Sequence, residues 1–391
     1  MVLKKLLRGS DELGRNVALL AGGTLLAQIL QLLVSPVLTR IYSPADFGFY
    51  GTFTSVLSVL AVLATFQYSA AIPVARSSED AASLSVFGLL LTFLVALIVL
   101  LLVPAAARVS GSPALLHAVG GPIPYFLAVS VLLSGSFAIL NCWAIRMREY
   151  ASMSRSRLSQ AVGASLTQVV LAFTPLHHLG LVAGSIVSSS GGQGPFLTMV
   201  ARRKAEFAIF RHTSLRKSFD AGRRYRSFAT ASTPSVFLQT LWMYLPVLVA
   251  SLYYDLAASG QVSVAVRLIV LPMMLLGTSY SNVYRGESLR AVQEGRLTKL
   301  FDQIVRKCFR AAGLVAVAAL AAPMLVPIIF GQEWRPAGFL ILYLAPAYAA
   351  HIIAFPISST SMLLDKQYWQ LRLDLVRTTA AGAALLMPAF L

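Results

Sequence analysis

The stretch SPVLTRIYSPADFGFY, residues 35–50, sits between two long apolar runs and carries Arg40 and Asp46 around a proline. Its surroundings define the class of protein. Residues 16–39 before it and 47–75 after it hold no charged residue. A charge-free apolar run of about 20 residues crosses the ~30 Å hydrocarbon core of a bilayer as a helix. The stretch therefore reads as the turn of a transmembrane helical hairpin, shaped by Pro36 and turned at Pro44 and Gly48, with Tyr42 and Asp46 as turn residues.

The same pattern recurs along the chain. Residues 81–107, 109–145, 158–201, 227–254, 311–332 and 336–364 are charge-free, and 256–284 holds only Arg267. The 158–201 run is long enough for two helices and contains the turn-like TPLHHLG (174–180). Ten full spans are expected, with a shorter eleventh run at 378–391. Over 391 residues, 57% are hydrophobic and only 12% charged, against roughly 25% charged for a soluble domain. The fold class expected is all-α, a polytopic transmembrane helix bundle.

The net charge of +17 would suggest nucleic acid on a soluble protein. Here the positive-inside rule accounts for it, and no nucleic-acid partner is expected. With the N-terminus cytoplasmic and the spans alternating, the inside segments hold 28 Lys/Arg and 12 Asp/Glu; the outside turns hold three of each. The segment RRKAEFAIFRHTSLRKSFDAGRRYR (202–226) has nine basic residues and reads as a cytoplasmic linker attracted to anionic head groups. It separates an N-terminal lobe (1–201, spans 1–6) from a C-terminal lobe (227–391, spans 7–10 plus a partial span 11). Pro36-Val37-Leu38 and Pro246-Val247-Leu248 stand 210 residues apart. Six spans separate them, as in a parallel repeat with a substrate site between the halves.

Polar residues mark the candidate path. Thr24, Gln28, Gln31 and Ser35 follow helical spacing on span 1. Ser232, Ser235 and Gln239 lie on span 7; Gly260, Ser263 and Arg267 lie on span 8. Either a water-filled cavity or small-residue helix packing explains such stripes; the glutamines and Arg267 favour a cavity. Arg267 falls near the bilayer centre, where a charge is costly and marks a functional site by default. It has two readings, contact with an anionic substrate or a tie to backbone carbonyls. Arg40 either snorkels to head groups or joins the path. His351 is either a titrating group or a neutral buried histidine. No acidic residue falls in any expected span. No metal site, cofactor or catalytic constellation is expected, and Cys142 and Cys308 read as unpaired.

With these residues in view, a family resemblance can be stated. Residues 19–81, with Pro36, Arg40, Tyr42, Pro44, Phe47, Gly48 and Tyr50, resemble the N-terminus of Wzx-type oligosaccharide flippases, the polysaccharide-transporter branch of the multidrug/oligosaccharidyl-lipid/polysaccharide (MOP) exporter superfamily. The segment AVRLIVLPMMLLGTSYSNVYRGES (265–288), with Arg267, Leu268, Leu271 and Pro272, resembles a second family segment. The resemblance implies two pseudo-symmetric six-helix lobes, MOP/MATE-like, the second incomplete because such proteins have at least twelve spans. A chain truncated at its C-terminus is the resulting expectation. It further implies a flippase of the bacterial plasma (inner) membrane, not an enzyme. Such a flippase moves undecaprenyl-diphosphate-linked oligosaccharide for O-antigen, lipopolysaccharide, capsule or exopolysaccharide assembly. The implied substrate-binding residues are Arg267, Arg40, Gln28, Gln31, Gln239 and Ser263. The implied partners are the lipid-linked oligosaccharide, membrane lipids, a polysaccharide polymerase and glycosyltransferases; the coupling ion is left open. The alternatives are a small-molecule or drug exporter of the same superfamily and a non-transporting component of a polysaccharide assembly complex.

Overall fold

The structure, a computed structural model, describes residues 12–110, 121–363 and 367–390, and among these it contains helices and no strand. The longer α-helices are α1 (Glu12–Ile41), α2 (Pro44–Ala64), α3 (Ser78–Ser110), α4 (Ile123–Arg146), α5 (Tyr150–Ala172), α6 (His177–Gly191) and α7 (Gly194–Arg202). They continue with α8 (Leu215–Arg224), α9 (Thr233–Tyr253), α10 (Leu256–Gln293), α11 (Leu297–Leu320), α12 (Ala322–Phe330), α13 (Arg335–Leu363) and α14 (Gln367–Phe390). Among the described residues, seven helices are long and apolar enough to cross a membrane: α1 to α4, α9, α10 and α13. The pair α11 and α12, bent by 64° at Ala321, makes an eighth if read as one broken span.

This is fewer than the ten spans expected from the sequence. The difference lies in 150–202, where α5 opens on the polar YASMSRSRLSQ, and where α6 stops after 15 residues and α7 restarts at Gly194-Pro195. Proline at the second position of α7 has no N–H to lose to the helix ladder. The run 47–75 is also interrupted. Phe66 and Gln67 take φ of 45° and 58°, a left-handed turn uncommon for side chains with a Cβ. A single turn Tyr68–Ala71 and a 3₁₀ turn Ile72–Val74 follow.

The chain divides into two compact units, Phe53–Thr240 with the chain up to Leu38, and Thr39–Thr52 with the chain from Leu241 on. In the first unit, α3 packs on α4 and α5 on α6. Trp143, 2% exposed, anchors the core and donates its indole N–H to Ser85 Oγ at 2.8 Å. Arg146 Nη1 donates to the carbonyls of Ile72 and Ala75 at 2.9 and 3.0 Å, satisfying acceptors where the 3₁₀ turn ends. The basic segment expected as a linker is folded onto this unit. Helix α8 lies on α3, and Arg224 reaches Asp80 at 2.8 Å. Tyr225 Oη accepts from the Arg76 backbone N–H at 3.0 Å. Arg203 bridges Glu149 and Glu206, each at 2.7 Å, and the hydrogen bonds to Glu206 and then Glu149 raise its pKa. Partly exposed pairs of this kind contribute under about 1 kcal/mol each.

In the second unit, α10 packs along α13 and α11 crosses α13. The opening stretch of the sequence belongs here. Ser43 and Asp46 form a capping box at the start of α2. Asp46 Oδ2 accepts from Ser43 N at 3.0 Å and from Ser43 Oγ at 2.7 Å, while Asp46 N donates back to Ser43 Oγ at 3.3 Å. Tyr42, 2% exposed, has its pKa pushed up to about 12, by burial first and then by the Asp46 charge. Gly48 does not turn the chain, as its sequence context suggested. It lies in α2 at a backbone-to-backbone crossing with α10. A Cβ on Gly48 would overlap the Leu256 carbonyl, and one on Gly260 would overlap the Pro44 carbonyl. Trp334, with no exposed surface, seals the crossing. Its ring meets Phe47 edge-on at 5.0 Å, and its Nε1 donates to the Thr39 carbonyl at 2.9 Å, one of the acceptors left open at the end of α1.

Candidate functional site

Arg267 occupies the twelfth position of α10, ~16 Å along the helix from Leu256 at 1.5 Å per residue, within the apolar window Leu256–Gly277. Its neighbours Val264, Ala265, Val266 and Ile269 are buried in the second unit. Arg267 is half-buried, and its Nη1 is buried without a hydrogen-bond partner. A buried guanidinium N–H left without an acceptor costs at least ~1–3 kcal/mol, and a charged group more. That deficit is an unfilled demand for an acceptor, which water or an anion can meet. The reading of a tie to backbone carbonyls gains nothing at Nη1.

The other candidate residues fall as follows. Ser263, one turn before Arg267, fills the space that a Cβ on Gly51 would need, so it sits in the α2–α10 contact. Arg40 is exposed at the end of α1, and its Nη2 comes no closer than 3.5 Å to the Ile329 carbonyl of α12. It shares the second unit with Arg267 but lies at the level of the helix ends. In the first unit, Gln28 and Gln31 lie on the side of α1 away from the exposed Leu25, Leu26, Ile29, Leu32 and Leu33. Gln28 Oε1 is buried with no partner. Gln239 is half-buried on α9. The structure thus brings Arg267, Arg40 and Ser263 into one unit and Gln28, Gln31 and Gln239 into the other.

The second unit also holds a cleft of about 660 Å³ where the end of α9 and the starts of α10 and α13 meet. Pro246, Val249, Val262 and Phe339 make its walls apolar, and Tyr254 and Arg335 stand at it as well. Gln261 closes one side, donating to the Glu333 carbonyl at 2.7 Å and accepting from Ala337 N at 3.1 Å.

Two polar features escaped the sequence. Arg157, counted there among loop charges, lies inside α5 with its guanidinium 5.6 Å over the Phe137 ring. Asp374 and Arg377, assigned to a loop, lie inside α14, and Asp374 is only 2% exposed. Asp374 is a buried carboxylate outside the expected spans, in a helix that starts before the run 378–391. The (i, i+3) spacing of Asp374 and Arg377 was the signal available; counting charges to find loop ends hid it.

Residues 37–338 match the family model described as "Polysaccharide biosynthesis protein". Among solved structures, the chain is similar to an inward-facing multidrug resistance MATE family transporter of the MOP superfamily. The TM-score is 0.62 at 16% identity, covering 92% of this chain and 86% of that one. It is similar to a mutant of the Vibrio cholerae MATE transporter VcmN, with TM-score 0.62 at 18% identity over 97% and 87% of the two chains. It is also similar to the eukaryotic MATE transporter AtDTX14, with TM-score 0.53 at 13% identity over 95% and 94%. These likenesses establish a MATE-like, all-helical transporter fold. Comparison with curated proteins finds no match.

Proposed function

The chain belongs to the polysaccharide biosynthesis protein family, and from that premise we propose that it is a flippase for polyprenyl-diphosphate-linked oligosaccharide. In this reading it carries the repeat unit across the bacterial plasma membrane by alternating access, with its N-terminus cytoplasmic. The observation that carries the reading is Arg267, a guanidinium in an apolar helix with a buried, unpartnered N–H. A diphosphate supplies the missing acceptors and the opposite charge, and a guanidinium fork matches phosphate oxygens in geometry. The orphaned Gln28 Oε1 asks for a donor, which sugar hydroxyls offer. The apolar cleft beside Arg335 gives an isoprenoid chain a surface of its own kind. The protein needs no catalytic group for this task.

A second reading, a small-molecule exporter of the same superfamily, draws on the likeness in fold to a multidrug resistance MATE transporter. Leaflet exposure of a fluorescent polyprenyl-diphosphate oligosaccharide in proteoliposomes separates the two. Hydrogen bonds to charged groups contribute ~1.5–3 kcal/mol. Arg267→Ala is thus expected to lower the flipping rate about 10- to 100-fold at 1.4 kcal/mol per tenfold, with Arg267→Lys in between. Unchanged flipping in Arg267→Ala removes the site; uptake of an organic cation with no flipping of lipid-linked sugar moves the exporter reading ahead.

A further inference from the structure

Within the second unit, α9, α13 and α14 bring together Trp242, His351, Asp374 and Arg377. His351 is 6% exposed, and its ring stacks on Trp242 with centroids 4.8 Å apart and planes 24° apart. The Arg377 guanidinium carbon lies 4.7 Å from the Trp242 ring centroid. Arg377 Nη1 stands 3.0 Å from His351 Nδ1, and Nη2 donates to Asp374 Oδ1 at 3.1 Å. Arg377 Nε is buried without a partner.

The contact defines the state of the histidine. A guanidinium has donors only, so His351 Nδ1 must be the acceptor and the imidazole is neutral, its proton on Nε2. A proton added at Nδ1 would set donor against donor and cation against cation at 3.0 Å. The two sides of that contact cannot then stay together. Arg377 has another place to go, since Asp374 already holds it and balances its charge.

Among the described residues, the carboxylate that the structure places in this cluster is Asp374. On α13, Tyr348 donates to the Met243 carbonyl at 3.1 Å. Tyr244 lies on α9, and Arg372, on α14, is exposed. Tyr280 and Tyr284 of α10 and Cys308 of α11 cluster with Ile353, two residues after His351. Arg267 is displaced along α10: the Gln261–Ala337 register sets His351 about eight residues, ~12 Å, further along.

We propose that His351, Arg377 and Asp374 form a proton-binding site in which protonation of His351 displaces Arg377 and loosens the packing of α14 on α13. One proton passes from water to Nδ1, and the cluster goes from neutral to a single positive charge. Such a site gives a transporter a point at which a proton gradient can act, whatever the cargo.

Trp242 reports on it directly, because a stacked imidazolium quenches indole emission far more than neutral imidazole does. The test is tryptophan emission of the full chain in nanodiscs, titrated from about pH 8 down to about pH 3, a range that runs well below the ordinary histidine value near 6.5. A reversible loss of emission is expected on acidification. Its titrating part should disappear in Trp242→Phe, and in His351→Gln the emission should remain without titrating. Arg377→Gln should keep the titration and shift its midpoint. Hydrogen exchange of residues 367–390 should quicken on acidification in the parent and not in His351→Gln. The same titration in His351→Gln, or none assignable to Trp242, overturns the site. Exchange that ignores protonation overturns the switch. Neither measurement depends on what is transported.

Discussion

Gly48→Ala acts at the closest backbone approach described above, between α2 and α10. The added methyl would overlap the Leu256 carbonyl oxygen and stand 2.7 Å from its carbon and 3.1 Å from Gly260 N. Ordinary carbon contacts need ~3.5 Å, so clearing the carbonyl carbon alone parts α2 and α10 by roughly 0.8 Å, and clearing the oxygen takes more. Both obstacles are backbone, and no rotamer change relieves them. The separation also strains the Thr52–Ser259 hydroxyl contact at 3.4 Å and the Phe47–Trp334 ring contact at 5.0 Å. Overpacking of this kind costs ~1–3 kcal/mol, and the upper half of that range is expected. The alanine's better helix propensity returns at most ~1 kcal/mol. The assay is thermal unfolding of the purified chain in nanodiscs, with Gly313→Ala as the control. Gly313 is exposed in α11, and a Cβ there meets nothing within 4 Å, so that variant should match or exceed the parent. A Gly48→Ala protein within about 0.5 kcal/mol of the parent would refute the close approach.

Trp334→Phe keeps most of the packing but leaves the Thr39 carbonyl without its 2.9 Å donor. It should destabilise by ~1–3 kcal/mol in the same assay, with Trp334→Leu worse. Asp46→Ala removes the acceptor for both the Ser43 N–H and the Ser43 hydroxyl; a loss of ~1 kcal/mol is expected, and Asp46→Asn should recover part of it. Tyr42 has its folded-state pKa raised to about 12. The neutral phenol therefore stabilises the fold fully below the unfolded value near 10, and that contribution is lost as pH rises towards 12. Melting temperature should fall more steeply above about pH 10 in the parent than in Tyr42→Phe, and equal slopes would count against burial of the phenol.

Much of the architecture was legible beforehand because lipid imposes one strong rule. A helix that crosses a bilayer must be apolar for about 20 residues, and its charges gather where it ends. The runs 16–39, 81–107, 227–254 and 336–364 accordingly became α1, α3, α9 and α13. Arg267 stood out for the same reason, and its unpartnered Nη1 keeps it the leading candidate.

That rule is one-dimensional, and it fails where neighbours rather than lipid set the environment. Asp374 and Arg377 neutralise each other at 3.1 Å, so a buried pair looked like loop charges. The basic segment 202–226 read as a cytoplasmic linker attracted to anionic head groups; the structure adds that Asp80 and Glu149, distant in sequence, hold two of its arginines. Gly48 looked like turn chemistry because Pro44 and Asp46 are turn chemistry; only the approach of α10 shows that the glycine is there to let two backbones touch. That Ser263 packs against Gly51 was likewise invisible in the sequence. Hydropathy along the chain determines which segments are helices in lipid, because each residue's transfer energy is its own. Which polar side chains pair, which stay unpaired and which glycines are contacts depends on residues hundreds of positions apart, and tertiary structure alone decides it.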